Sequence, residues 1–132
     1  IVAGGNVPVK TDDRLLEMDY GPYEGMDLRK PVPEVVTFFS DFARNPAPAG
    51  MEQLSSVTAR AGRFIEDVAR SSGERILVST HAILMKGILE YLTPDSRGSY
   101  WSKFIGNCAV YQCVWRDGAF SVPVEVVDAE RG

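Results

Sequence analysis

The chain has 132 residues, of which 45% are apolar, enough for one domain with a core. Its net charge is −4 and it has no basic stripe interleaved with aromatics, so nucleic acid is not expected as a partner. No apolar run is long enough to span a bilayer, and "IVAGGNVPVK" lacks the basic start and cleavage pattern of a signal peptide, so no membrane is expected either.

In chain order, "IVAGG" reads as the last turn of a helix closed by glycine. It has no start signal and no initiator Met before it, which leads us to expect residues upstream. "NVPVK" is a short candidate strand. "TDDRLLEMDYGPYEGMDLRK" is polar, aromatic and without sustained period, which predicts a loop with one helical turn. "VPEVVTFFSDFARN" places Val35, Val36, Phe38, Phe39 and Phe42 at the spacing of a short amphipathic helix starting near Pro33. "PAPAG" breaks it.

The strongest helix is "MEQLSSVTARAGRFIEDVARSSG". Leu54, Val57, Ala61, Phe64, Ile65 and Val68 fall on one face, with Arg60, Arg63, Glu66 and Asp67 largely off it and Gly73 as a C-terminal cap. "RILVST" is a short run of strand type, and "AILMKGILEYL" returns to helical spacing and stops at Thr93-Pro94. "CAVYQCVW" and "FSVPVEVV" are β-rich and joined across Asp117-Gly118, which signals a hairpin with Pro123 at an edge or bulge. Helix–strand–helix alternation argues for a layered α/β domain with the hairpin at one side. We find no repeat or second domain, so residues 1–132 are taken as one unit.

Cys108 and Cys113 lie five apart, on opposite faces of one strand, and cannot bridge each other. With no metal-type Cys/His spacing, they read as reduced structural thiols of a cytoplasmic protein.

The candidate site begins with His81, the only histidine, placed between the "ILVS" strand and a helix starting near Ala82. Ligands of open α/β sheets sit beyond strand C-termini, and a helix N-terminus there favours phosphate or carboxylate. Ser79 and Thr80 add hydroxyl donors. The plain alternative is a histidine that caps or packs a loop. A second cluster is Glu17, Asp19 and Glu24 with Tyr20 and Tyr23, a composition common in site walls but equally that of a solvated acidic loop. The third is Glu52, in the first turn of the strong helix, where an acid also complements the helix dipole.

Taken in order, these stretches resemble the histidine phosphatase superfamily, also called phosphoglycerate mutase-like. "RLLEMDYGPYEG", Arg14 to Gly25, is similar to the family's "rL-x-E-x-x-f-G-x-w-E-G". "PAGMEQLSSVTAR", Pro48 to Arg60, is similar to "P-x-G-G-E-S-l-x-x-v-x-x-R", with Met51 for a glycine and Gln53 for a serine. "ILVSTHA" stands where the family has "v-l-v-V-S-H-G", with Ala82 for the usual glycine, and "NCAV" matches a following strand.

The resemblance implies a three-layer α/β sandwich. Its sheet is mixed and mostly parallel, with helices on both faces and a C-terminal antiparallel hairpin, incomplete within these residues. It implies that Glu17 protonates the leaving oxygen and that His81, with the backbone N–H of Ala82, binds phosphoryl oxygens. It puts Glu52, Tyr20 and Tyr23 beside the pocket as substrate-contact positions. The family's nucleophile is a different histidine, in an Arg-His-Gly segment that does not occur here. About one third of the usual domain is therefore expected upstream. Two interior strands would be absent, leaving unpaired edges and an apolar surface that a complementing segment or another copy of the chain would cover.

The implied activity is hydrolysis of small phosphate monoesters, such as a sugar phosphate, phosphoglycerate or nucleotide-like ester, through a phosphohistidine and without metal or other cofactor. The short spacing between "YEG" and "PAG" leans away from the mutase branch. The alternatives are a phosphoglycerate mutase, a non-catalytic relative that binds a phosphate ligand or regulates, and an unrelated flavodoxin-like module.

Overall fold

Apolar residues at Val57, Ala61, Phe64 and Ile65 recur at steps of three and four, and all four are buried. They form the inner face of a helix over Leu54–Ala69, here α2. The computed structural model describes residues 7–71 and 75–127. A first helix, α1, spans Pro33–Ser40, and a third, α3, spans Ala82–Leu92. α2 and α3 pack along each other, and two glycines permit the close approach. A Cβ on Gly62 would lie 2.6 Å from the Tyr91 ring, and one on Gly87 would lie 2.9 Å from Val57 Cγ1.

α1 begins with Pro33, whose fixed φ suits the first helical position. It buries Val35 and Phe38. Phe42, just past the helix, returns its ring to within 4.9 Å of the Phe38 ring centre. The Asn45 amide then donates to the carbonyls of Thr37 and Asp41, satisfying the helix end.

Beyond α3 a four-residue helix, α4 (Ser99–Ser102), has no periodic signal and is held by one carboxylate. Glu90 accepts from the backbone N–H of Gly98 and of Tyr100 and from the Ser96 hydroxyl. Lys86 donates to the Trp101 carbonyl at 3.1 Å while its ammonium lies 5.3 Å from the centre of the Phe42 ring.

The C-terminal hairpin forms as expected, in two ladders. β1 (Val110–Gln112) pairs antiparallel with β4 (Val124–Val126), and β2 (Trp115–Arg116) pairs with β3 (Ala119–Phe120). Asp117 and Gly118 turn the chain with φ of 54° and 80°, the left-handed pair that a tight hairpin needs. Cys113 and Val114 on one side oppose Ser121, Val122 and Pro123 on the other, so Pro123 falls in a one-residue bulge. The Ser121 hydroxyl accepts from Val114 N–H, and Ser121 N–H donates to the Val114 carbonyl, each at 2.8 Å. Cys108 and Cys113 are free thiols.

The chain thus mixes helices with small antiparallel strand pairs. The parallel sheet expected around "ILVS" does not appear among the described residues. Residues 76–80 carry no ladder, and Ile76 and Leu77 are 48% and 70% exposed. An apolar run becomes a strand only when a neighbour supplies donors and acceptors, and no described segment does so. The same holds for residues 7–10 of the "NVPVK" segment. The expected helix end at Ile1–Gly5 and the Gly73 cap lie outside the described residues. α2 already ends at Ala69, with Arg70 N–H bonded to the carbonyls of Glu66 and Asp67. Among the described residues no helix is long and apolar enough to cross a membrane.

Candidate active site

The segment that delivers Glu17 starts with a 3₁₀ turn, Asp13–Leu15. The Asp12 carboxylate caps it by accepting the Arg14 N–H at 2.9 Å and also takes the Arg14 guanidinium. Those hydrogen bonds hold the Asp12 carboxyl at about 2. Arg14 Nη1 reaches on to Asp67 of α2 at 2.6 Å. The Thr80 hydroxyl donates to the Leu15 carbonyl at 2.7 Å, which joins this turn to the residues just before α3.

Arg60 of α2 makes the tightest attachment. Its Nε and Nη2 grip the two oxygens of Glu52 at 2.9 and 3.0 Å, a bidentate pair whose side chains are only 14% and 12% exposed. The remaining N–H groups donate to the carbonyls of Arg14, Leu16 and Glu17 at 2.9, 2.7 and 3.1 Å. Glu52 in turn accepts from Asp19 N–H and the Ser56 hydroxyl, and its own N–H donates to the Asp19 carbonyl. Burial pushes the Glu52 carboxyl up, but the Arg60 guanidinium, Asp19 N–H and Ser56 hydroxyl outweigh it and leave the group below the usual glutamate value. Glu52 lies two residues before Leu54, outside the helix whose first turn it was expected to occupy.

The Glu17 side chain extends to the N-terminus of α3. Its carboxylate accepts the N–H of Ile83 at 3.1 Å, of Leu84 at 3.0 Å and of its neighbour Met18 at 3.0 Å. Ile83 and Leu84 are the second and third residues of α3, where backbone donors lack helical partners and the dipole favours an anion. His81 is the residue immediately before the helix, exposed, with an extended backbone and a carbonyl that accepts the Met85 N–H at 2.8 Å. Ala82 opens the helix and is also exposed. The structure therefore brings Glu17 to the helix end that His81 and Ala82 begin.

Tyr20 is half-buried, with its ring edge-on to Phe39 at 5.9 Å between centres. Burial first, then the charges of Glu17 and Glu24, push its phenol up. Tyr23 packs partly against the core at the end of the Gly21–Tyr23 turn. Gly21, with φ of +55°, abuts the Gly50 carbonyl, so the loop after Glu17 touches the loop before Glu52. A concavity of about 500 Å³ opens here between Leu16, Glu17, Asp19, Gly50, Glu52 and Arg60. His81, Ala82, Tyr20 and Tyr23 do not line it.

Arg60 is the functional candidate that the helical pattern hides. Its position off the apolar face of α2 reads as solvent-facing. The signal that finds it is its place eight residues after Glu52, at the end of the "PAGMEQLSSVTAR" segment.

Residues 1–126 match the model of the histidine phosphatase superfamily (branch 1). Two relatives come from Hydrogenobacter thermophilus (strain DSM 6534 / IAM 12695 / TK-6). One, named "Putative phosphoserine phosphatase 2", is 27% identical over 105 residues, covering 75% of this chain and 50% of the relative. The other, named "Phosphoserine phosphatase 1", is 26% identical over 106 residues, covering 77% of this chain and 50% of the relative. The chain spans about half the length of the curated relatives it matches.

Proposed function

The chain belongs to the histidine phosphatase superfamily, and from that premise we propose that it forms part of a phosphatase acting on small phosphate monoesters. The observation that carries the reading is the contact of the Glu17 carboxylate with the N–H groups of Ile83 and Leu84. It sets the Glu17 side chain against the helix end that favours an oxyanion, next to the one histidine.

In this reading a histidine outside these residues attacks phosphorus, and the bond from phosphorus to the ester oxygen breaks. Glu17 gives its proton to that oxygen, and His81 and the N–H of Ala82 donate to the phosphoryl oxygens as charge builds. Water then cleaves the phosphohistidine to release inorganic phosphate. Tyr20 and Tyr23 are assigned as substrate contacts on the family resemblance; neither lines the concavity beside Glu17. Residues 76–80 become a strand of a mostly parallel sheet once residues outside the chain pair with them.

The test uses the full-length polypeptide that carries these residues. O-phosphoserine, suggested by the names of the two relatives, is the first ester to try, with p-nitrophenyl phosphate beside it. We expect turnover and an acid-labile, alkali-stable phosphoryl group on the protein. His81→Ala should slow the chemical step by about 10²–10³-fold, the range for losing one transition-state donor. Turnover unchanged by His81→Ala would remove that residue from the pocket. Absence of hydrolysis of any monoester would sink the phosphatase reading.

A further inference from the structure

We propose that Glu52 and Arg60 are a positioning pair for Glu17, setting where its carboxylate stands over α3, an inference that rests on the acid role proposed above. Three facts converge on it. Arg60 holds the carbonyl of Glu17 itself and those of Leu16 and Arg14, so one guanidinium fixes the backbone immediately before the acid. Glu52 holds both the N–H and the carbonyl of Asp19, fixing the backbone immediately after it. The two side chains are locked to each other as a part-buried bidentate pair.

The same bonds say what the pair does not do. Arg60 makes five hydrogen bonds, matching the five N–H donors of a guanidinium, so none is left for a phosphate. Both Glu52 oxygens are likewise engaged. Glu52 therefore acts through Arg60 and the Asp19 backbone, although it borders the same concavity as Glu17. Only arginine suits the position, because its planar fork serves a carboxylate on one edge and several carbonyls on the other. A lysine presents one rotatable ammonium and reaches only part of that set.

The experiment is a leaving-group comparison on the full-length polypeptide. Wild type, Arg60→Lys, Glu52→Gln, Glu17→Gln and the double variant Arg60→Lys/Glu17→Gln are assayed on O-phosphoserine, a poor leaving group, and p-nitrophenyl phosphate, an activated one. Arg60→Lys should lower kcat on the poor leaving group by roughly tenfold to a hundredfold, the scale of a misplaced catalytic group. It should leave kcat on the activated ester nearly unchanged and KM little moved. Glu52→Gln should shift the ratio of the two rates in the same direction. In the Glu17→Gln background, Arg60→Lys should shift that ratio no further.

Equal losses on both esters would overturn the proposal in favour of a purely structural role. A raised KM with kcat intact would overturn it in favour of substrate contact. Should Arg60→Lys not fold, Glu52→Gln carries the same comparison. If Glu17→Gln itself shows no leaving-group dependence, the acid role fails, and the positioning role with it. If Glu17→Gln shows that dependence and the pair variants do not, only the positioning role fails.

Discussion

The backbone N–H of Leu84 donates to the carboxylate of Glu17 at 3.0 Å, across 67 residues of sequence. Glu17 is thereby the N-terminal cap of α3 supplied from a distant loop, since His81, at the capping position, makes no side-chain capping bond. Glu17→Ala should cost about 1 kcal/mol, the usual loss on removing such a cap. Glu17→Gln keeps an acceptor oxygen and should cost less. Denaturant unfolding of the full-length polypeptide checks the order. Equal stability of wild type and Glu17→Ala would show that the contact caps nothing.

Gly21 is the least replaceable residue of the loop. Its φ of +55° disfavours any side chain, and a Cβ there would lie 2.0 Å from the Gly50 carbonyl oxygen. Gly21→Ala must push the two loops apart, and with them the Glu17 and Glu52 segments. We expect a loss of more than about 1 kcal/mol in stability, in line with forcing an alanine into a positive-φ site, together with lowered activity. By contrast Gly25, with φ of +72° and open space around it, should show the smaller loss. A Gly21→Ala protein as stable as wild type would contradict this packing.

Acid stability should carry the mark of Glu52. Its folded pKa lies below the ordinary 4.5, so its contribution is complete above that value and disappears as the pH falls below it through the lowered folded value. Asp12, held at about 2, also gives up its share as the pH falls. Glu52→Gln should therefore flatten the fall in stability below about pH 5 without abolishing it. Thermal melts across that range test the sign. An unchanged slope would mean that the Glu52–Arg60 pair contributes nothing to the acid limb.

The 132-residue chain on its own should behave poorly in solution. Ile76, Leu77, Val124, Val126 and Val127 are all exposed, and the 76–80 segment has no ladder partner among the described residues. Such surface associates with whatever can cover it. We expect the isolated chain to bind a hydrophobic dye, self-associate and melt over a broad range. A monodisperse monomer with one sharp transition would refute this.

Much of the framework is legible in the sequence because its elements announce themselves locally. α2 and α3 have apolar residues in phase with the helix, and Thr93-Pro94 stops α3 where expected. Asp117-Gly118 supplies the two left-handed residues of the hairpin turn, and Pro123 marks the bulge. What stays hidden depends on tertiary partners. α4 has four residues and exists because Glu90 collects its donors. Arg60 looks like a surface residue until the 14–17 carbonyls fold over it. "ILVS" has strand composition, but composition cannot supply the neighbour that makes a ladder. In the site, the order of Glu17, Glu52 and His81 along the chain is readable, whereas the capping of α3 by Glu17 is not, since nothing local links residue 17 to residue 84.

The bulge between the two ladders of the hairpin also governs how that hairpin can assemble. If the β2–β3 alignment simply continued, Pro123 would stand opposite Gln112 and take the place of Val124. Proline has no N–H to contribute to such a ladder, and Val124 and Val126 would swap faces. The bulge removes both faults, and Ser121 occupies Val114 in the gap with two hydrogen bonds. The bulge thus confines the hairpin to a single alignment, because the continued register would lose a ladder bond and turn both valines to the other face.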